Sequence, residues 1–195
     1  RISFGAMATH HITPEMVERA PDALEAIGIV RLAPQDVPAY LVFHNAEYDR
    51  QFLPEWLREV PHVCTYRCAL SMLPNAESHS NGALWYELDL HHPMPRSAGN
   101  MPHRALFDAI MTSDILEWMV SNVTEYPQET RLHALERLHS ITVNPILLKK
   151  CRLPKHKGEW WEDVPSSYMN WVLSQDFDQD TRHTCEYWLA KRGRR

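Results

Sequence analysis

Two short strings carry the residues most able to do chemistry: His44-Asn45-Ala46-Glu47-Tyr48-Asp49 and His103-Arg104-Ala105-Leu106-Phe107-Asp108. Asp49 and Asp108 offer hard oxygen donors, which suit Mg²⁺ or Mn²⁺. His103, whose ordinary pKa is about 6.5, can take the proton from an attacking water at neutral pH. Carboxylates that hold two divalent ions about 3.5 to 4 Å apart serve phosphodiester hydrolysis, one ion activating water and the other stabilising the leaving oxygen. A histidine five residues before an aspartate means little alone. Its value comes from order and company, because Ala8-Thr9-His10-His11-Ile12-Thr13 precedes both strings at compatible spacing.

These residues need elements to hold them. Val37-Pro38-Ala39-Tyr40-Leu41-Val42-Phe43 is rich in β-branched and aromatic residues and stops at His44-Asn45, which predicts a buried strand of five or six residues ending in a turn. A helix over residues 49–59, closed by Pro61, would start at Asp49. A short strand at 63–65, a helix over 66–73 ended by Pro74, a polar loop at 75–82 and a helix over 84–90 follow. Residues 91–102 hold three prolines and a glycine, which predicts an irregular surface loop leading into His103. Leu106, Ile110, Ile115 and Met119 fall at helical spacing, so Asp108 should project from a long helix over 105–123. Upstream, residues 7–13 read as a loop, with Thr13 as N-cap, Pro14 at the first helical position and a short helix to about residue 25. Downstream, a helix at 128–138 leads to a linker at 140–145. Residues 146–195 then form a small unit, an extended pair around a Lys155-His156-Lys157-Gly158 turn followed by helices near 165–175 and 179–191.

A chain of 195 residues can bury one good core and a small appendage. It has no run of 18 or more apolar residues and no charged-then-apolar opening, which predicts a soluble, cytosolic protein without a membrane partner. Cys64, Cys68, Cys151 and Cys185 lack zinc-site spacing and read as buried free thiols. Charge is uneven: residues 1–144 carry 10 Arg, no Lys and 18 acids, whereas residues 145–195 carry 10 bases and 7 acids. An acidic main domain that handles phosphate must rely on metal ions and local donors, leaving the basic tail to attract a nucleic-acid backbone. Within that tail, Lys155 and Lys157 flank a turn whose Gly158 lets phosphate approach the main chain. The arginines of 192–195 read as well as a solvated charge run.

Other candidates have plainer readings. His44 is a turn residue satisfied by backbone hydrogen bonds. His91 and His92 are adjacent in a proline-flanked loop, so their rings point apart. Trp160, Trp161, Trp171 and Trp188 could stack on unpaired bases, but a unit of about 50 residues needs aromatic area to fold, so they are read as its core.

In order and chemistry the three blocks resemble the DEDDh family of 3′-5′ exonucleases, in its exonuclease X branch. The resemblance covers residues 1 to about 123 and resumes at Leu153-Pro154-Lys155-His156-Lys157-Gly158 and Tyr168-Met169-Asn170-Trp171. It implies an α/β, ribonuclease H-like exonuclease domain over 1–139 with its N-terminal strands missing, plus a small basic α+β domain over 146–195. It also implies Asp49 and Asp108 as metal-site carboxylates, His103 as general base, Asn45 orienting Asp49, and His10 to Thr13 beside the terminal nucleotide. DNA would be trimmed from a 3′ end to nucleoside monophosphates, with RNA and a homodimer left open. At a position where the family most often has glycine, this chain has His11. The family's first acidic motif, Asp-x-Glu on an opening strand, has no counterpart before His10, and the first acid is Glu15. The chain is therefore expected to be a fragment of a longer protein, weakly active by itself. The alternatives are a second chain that supplies the motif, or a non-catalytic nucleic-acid-binding or assembly module that keeps the fold.

Overall fold

A computed structural model describes residues 2–22, 25–26, 39–91, 103–124, 126 and 128–194. Residues 37–38 of the expected strand, and all of the expected loop before His103 except His91, lie outside these.

Strands β1 (Leu41–Phe43) and β2 (His62–Cys64) pair in parallel, Leu41 opposite His62 and Phe43 opposite Cys64. A parallel pair needs a crossover. Here it consists of α3 (Ala46–Arg50) and α4 (Glu55–Arg58), not the single helix expected over 49–59. Pro54 is the reason: it has no N–H to donate and disfavours helical backbone in the residue before it, so the first helix stops and Pro54 becomes the N-cap of the second. The expected N-terminal loop also differs. Residues Phe4–His10 form α1, capped at its start by Ser3, whose Oγ accepts the Ala6 N–H at 3.2 Å, and closed by His11 in a left-handed conformation with φ of 56°. Helix α2 (Pro14–Val17) begins where expected, after Thr13, but ends eight residues early.

Next in the chain are α5 (Thr65–Met72), α6 (Asn81–Glu87) and α7 (Ala105–Val123). The last has the bounds expected from sequence and keeps Ile115 and Met119 of the expected stripe, but Phe107 and Met111 take the places of Leu106 and Ile110 in it. Phe107, Met111, Ile115 and Met119 face the core, whereas Leu106 is 64% exposed. That stripe packs on Val63 of β2, Leu84 and Trp85 of α6, and Leu138 of α8 (Arg131–Val143). The turn carrying Asp108 and Thr112 consequently faces sideways, along the edge of the core. Because α8 runs to Val143, the segment expected to be a linker from residue 140 is still helix for four residues.

The C-terminal segment has its expected parts: an isolated antiparallel bridge between Lys150 and Trp160, α9 (Ser166–Leu173) and α10 (Gln179–Gly193). Its core of Trp161, Val164, Met169, Val172 and Cys185 also takes in Leu70 of α5. Arg67 of α5 reaches across to Asp180 of α10, at 2.6 and 3.0 Å. Of the tryptophans read as core, Trp161 is buried, but Trp171 is 47% exposed. The four cysteines are buried free thiols, and burial pushes Cys68 and Cys185 up to about 12. Arg192, read as part of a solvated run, instead donates to Val164 O and Ser166 Oγ, pinning the end of α10 to the start of α9. Among the described residues no helix is long and apolar enough to cross a membrane.

One fold feature predicts a pH effect. His62 sits on β2 with the His139 ring edge-on at 6.0 Å, and burial, followed by the charge of Arg50 and by His139, pushes its pKa down to about 4. The unfolded ring protonates near 6.5. Above that value both states are neutral at this ring and it contributes no pH dependence. As pH falls from about 6.5 towards 4, the unfolded chain binds the proton first and stability drops. Urea midpoints at pH 7 and pH 5 should differ less for His62→Asn than for the parent; an equal difference would remove His62 as the cause.

Candidate active site

Asp49 is the fourth of the five residues of α3, and Asp108 lies in the first turn of α7, where a carboxylate is favoured by the helix dipole. His103 stands two residues ahead of α7 with φ of 64°. All three line one cleft of about 820 Å³, with Val42 and Phe43 of β1 behind them and Ser80, Asn81 and Thr112 at the sides. The main-chain N–H of His103 donates to Asp108 Oδ1 at 3.2 Å, so the carboxylate itself holds the turn that carries the histidine. The His103 side chain is exposed. Burial raises the Asp49 carboxyl above its ordinary value, a cost that a nearby cation would relieve.

Residues that no local pattern marks complete the walls. Asn81 Nδ2 donates to the Asp108 carbonyl at 2.9 Å and to Thr112 Oγ1 at 3.0 Å, which ties α6 to the turn bearing Asp108. His44 is held on both sides. Its Nε2 lies 2.9 Å from the His79 carbonyl, which can only accept, so Nε2 carries the proton. Its Nδ1 is 2.9 Å from Thr65 Oγ1, a hydroxyl that also donates to the Phe43 carbonyl at 3.1 Å, and burial lowers the pKa of the ring. His44 is thus satisfied as expected, but by a side chain as well as by backbone, and it braces β1 against α5 at the floor of the cleft.

The other expected site residues lie outside this cleft. Asn45, with φ of 78°, borders a neighbouring polar hollow of about 510 Å³, which shares His44 and Ser80 with the cleft and reaches Arg152. His10 and Thr13 do not line it either. His10 Nδ1 accepts the Ile12 N–H at 2.9 Å, and its carbonyl receives Arg104, the neighbour of His103, at 3.4 Å. Lys155 borders a separate cavity in the C-terminal segment, and Lys157 lies on the same turn.

Two carboxylates in one cleft fit a hard divalent cation in donor type. In number they are few, since among the described residues no three His, Cys, Asp or Glu side chains are grouped to hold one ion.

No family model matches the chain. It is similar to exodeoxyribonuclease 10 of Escherichia coli strain K12, 29% identical over 198 residues that cover 96% of this chain and 80% of that protein. The exodeoxyribonuclease 10 of E. coli O6:H1 strain CFT073 matches to the same extent. Among solved structures, exonuclease X in complex with 5′ overhanging duplex DNA superposes with a TM-score of 0.56 at 30% identity, covering 72% of this chain and 74% of that one. The small parallel sheet with flanking helices belongs with that exonuclease fold.

Proposed function

Because this chain belongs to the exonuclease X family, we propose that its cleft hydrolyses DNA phosphodiester bonds from the 3′ end, releasing nucleoside monophosphates. The observation that carries this reading is the convergence of Asp49, His103 and Asp108 on one cleft from segments some 54 to 59 residues apart in sequence. Asp49 and Asp108 would hold Mg²⁺ or Mn²⁺, which when bound would polarise the phosphate and lower the pKa of water. His103 would take the proton of the attacking water, its exposed ring carried on a main chain tied to Asp108. Asn81 and Thr112 keep the Asp108 turn in register, and His44 keeps the floor rigid. Asn45, His10 and Thr13 would meet the strand outside the cleft, and residues 146–195 would act as a small nucleic-acid-holding domain.

The deciding experiment is digestion of a 5′-labelled single strand with Mn²⁺. A ladder shortened from the 3′ end is expected, and it should vanish with EDTA. The small number of metal-type donors favours one rival, a module that binds nucleic acid without cutting it. Strand binding with no trimming in Mn²⁺ would favour that rival over cutting by this chain alone. Lys155 and Lys157 lie within the basic segment, so Lys155→Ala together with Lys157→Ala should weaken DNA binding and flatten its dependence on salt by up to about two phosphate contacts. Unchanged affinity at low and high salt would remove both lysines from the interface.

A further inference from the structure

The C-terminal segment holds a second cavity, of about 610 Å³, lined by Pro154, Lys155, His156, Pro165, Tyr168 and Trp171. Tyr168 and Trp171 are three apart on α9 and so share a face. Their rings stack at 5.2 Å with 27° between planes. His156 lies 4.5 Å from the Tyr168 ring, and Lys155 Nζ lies 5.5 Å from its centroid. Among the described residues no carboxylate lines the cavity. Both supports are firm. The turn is closed by Cys151 N–H to Glu159 O and Gly158 N–H to Cys151 O, each 2.8 Å, and His156 is held by Glu159 at 3.0 Å. On α9, Met169 and Val172 are fully buried. A rigid aromatic pair left 47% open at Trp171, under an ammonium group, is more than the core of the segment requires.

We infer that this ledge is a subsite for one unpaired nucleobase of a DNA strand, with the base stacked on the Trp171–Tyr168 pair and its phosphate drawn by Lys155. The inference rests on the nuclease reading above and adds to it a base contact remote from the cleft residues. Flat π-faces accept any base, so the subsite grips a single strand without reading its sequence. A duplex, whose bases are already stacked on each other, cannot use it. The ledge therefore makes the chain prefer ends with a single-stranded portion.

The test is fluorescence anisotropy with a short labelled oligothymidylate, in EDTA so that nothing is cut, comparing the parent with Trp171→Ala and Trp171→Phe. Trp171→Ala should bind about 5- to 100-fold more weakly, with the salt dependence unchanged because no phosphate contact is lost. Trp171→Phe, which keeps a π-face, should retain most of the affinity. A strand of the same length with abasic sites should bind the parent about as weakly as the normal strand binds Trp171→Ala. Equal binding by parent and Trp171→Ala, or equal binding of normal and abasic strands, overturns the ledge and leaves the nuclease reading standing. A parent that binds no strand at low salt overturns both. A proline-rich peptide bound in a Trp171-dependent way, where the strand is not, would reassign the ledge to a protein partner.

Discussion

Asp108→Asn is expected to slow 3′ trimming by about 10³-fold or more while leaving strand binding within a few-fold of the parent. A bound divalent ion contributes several kcal/mol to the transition state, and each 1.4 kcal/mol is a factor of about ten. The amide still offers an oxygen to the His103 N–H, which Asp108 now receives at 3.2 Å, so the turn stays closed and the fold is unaltered. Only the charge is lost. Asp108→Ala differs in losing that acceptor too, and should also lower stability by about 1 kcal/mol, the usual net worth of one hydrogen bond. Single-turnover rates with a 5′-labelled strand, together with anisotropy in EDTA, separate the two quantities. Trimming by Asp108→Asn at the parental rate would remove Asp108 from the metal site.

Arg67→Ala should cost about 3 to 5 kcal/mol of stability, a large share of the 5 to 15 kcal/mol that holds a domain together. The guanidinium grips Asp180 through two nitrogens, at 2.6 and 3.0 Å, and also donates to the Asn144 carbonyl at 2.8 Å. Asp180 is only 5% exposed, and its one other donor among these is the Ile146 N–H at 3.0 Å. Removing the arginine strands a buried charge, which is worse than never having had the pair. Adding Asp180→Asn to Arg67→Ala should therefore restore part of the loss, and Arg67→Lys should lose less than Arg67→Ala because it keeps the charge without the fork. Urea unfolding of the parent, Arg67→Ala, Asp180→Asn and the double variant reads the cycle, with Arg67→Lys measured beside them. A loss under 1 kcal/mol for Arg67→Ala would mean the pair acts like an exposed one.

Much of the frame was legible in the sequence because it is local. Residues 105–123 contain no proline or glycine and end at Thr124, and that helix has the expected bounds. The order of Asp49, His103 and Asp108 was enough to expect one site. Its bracing was not, because Asn81 meets Asp108 across 27 residues and His44 meets Thr65 across 21, and such contacts leave no periodic trace. The start of α7 was misjudged for a related reason, although Ile115 and Met119 are buried as expected: Leu106 and Phe107 are both apolar, and the packing of Trp85 on Phe107, at 5.6 Å, turns the second inward. His11 is instructive in another way. It takes a left-handed backbone, the conformation glycine adopts most easily, at the position where the family most often has glycine. Trp171 was read as core because a small unit needs aromatic area, yet Leu70, lent by α5, supplies part of that need.

The Arg67 to Asp180 bridge also governs how the molecule comes into being. The two partners are 113 residues apart, and Leu70 waits for the same C-terminal cluster. At about 5 to 20 residues per second on the ribosome, α5 is made roughly 6 to 20 s before the helix that covers it. During that interval Arg67 and Leu70 of α5 stand open on a nascent chain. The first core can close early from its own strands and helices, but α5 acquires its full cover only when α10 arrives. A chaperone that protects this chain during synthesis would have its best target on that one face of α5.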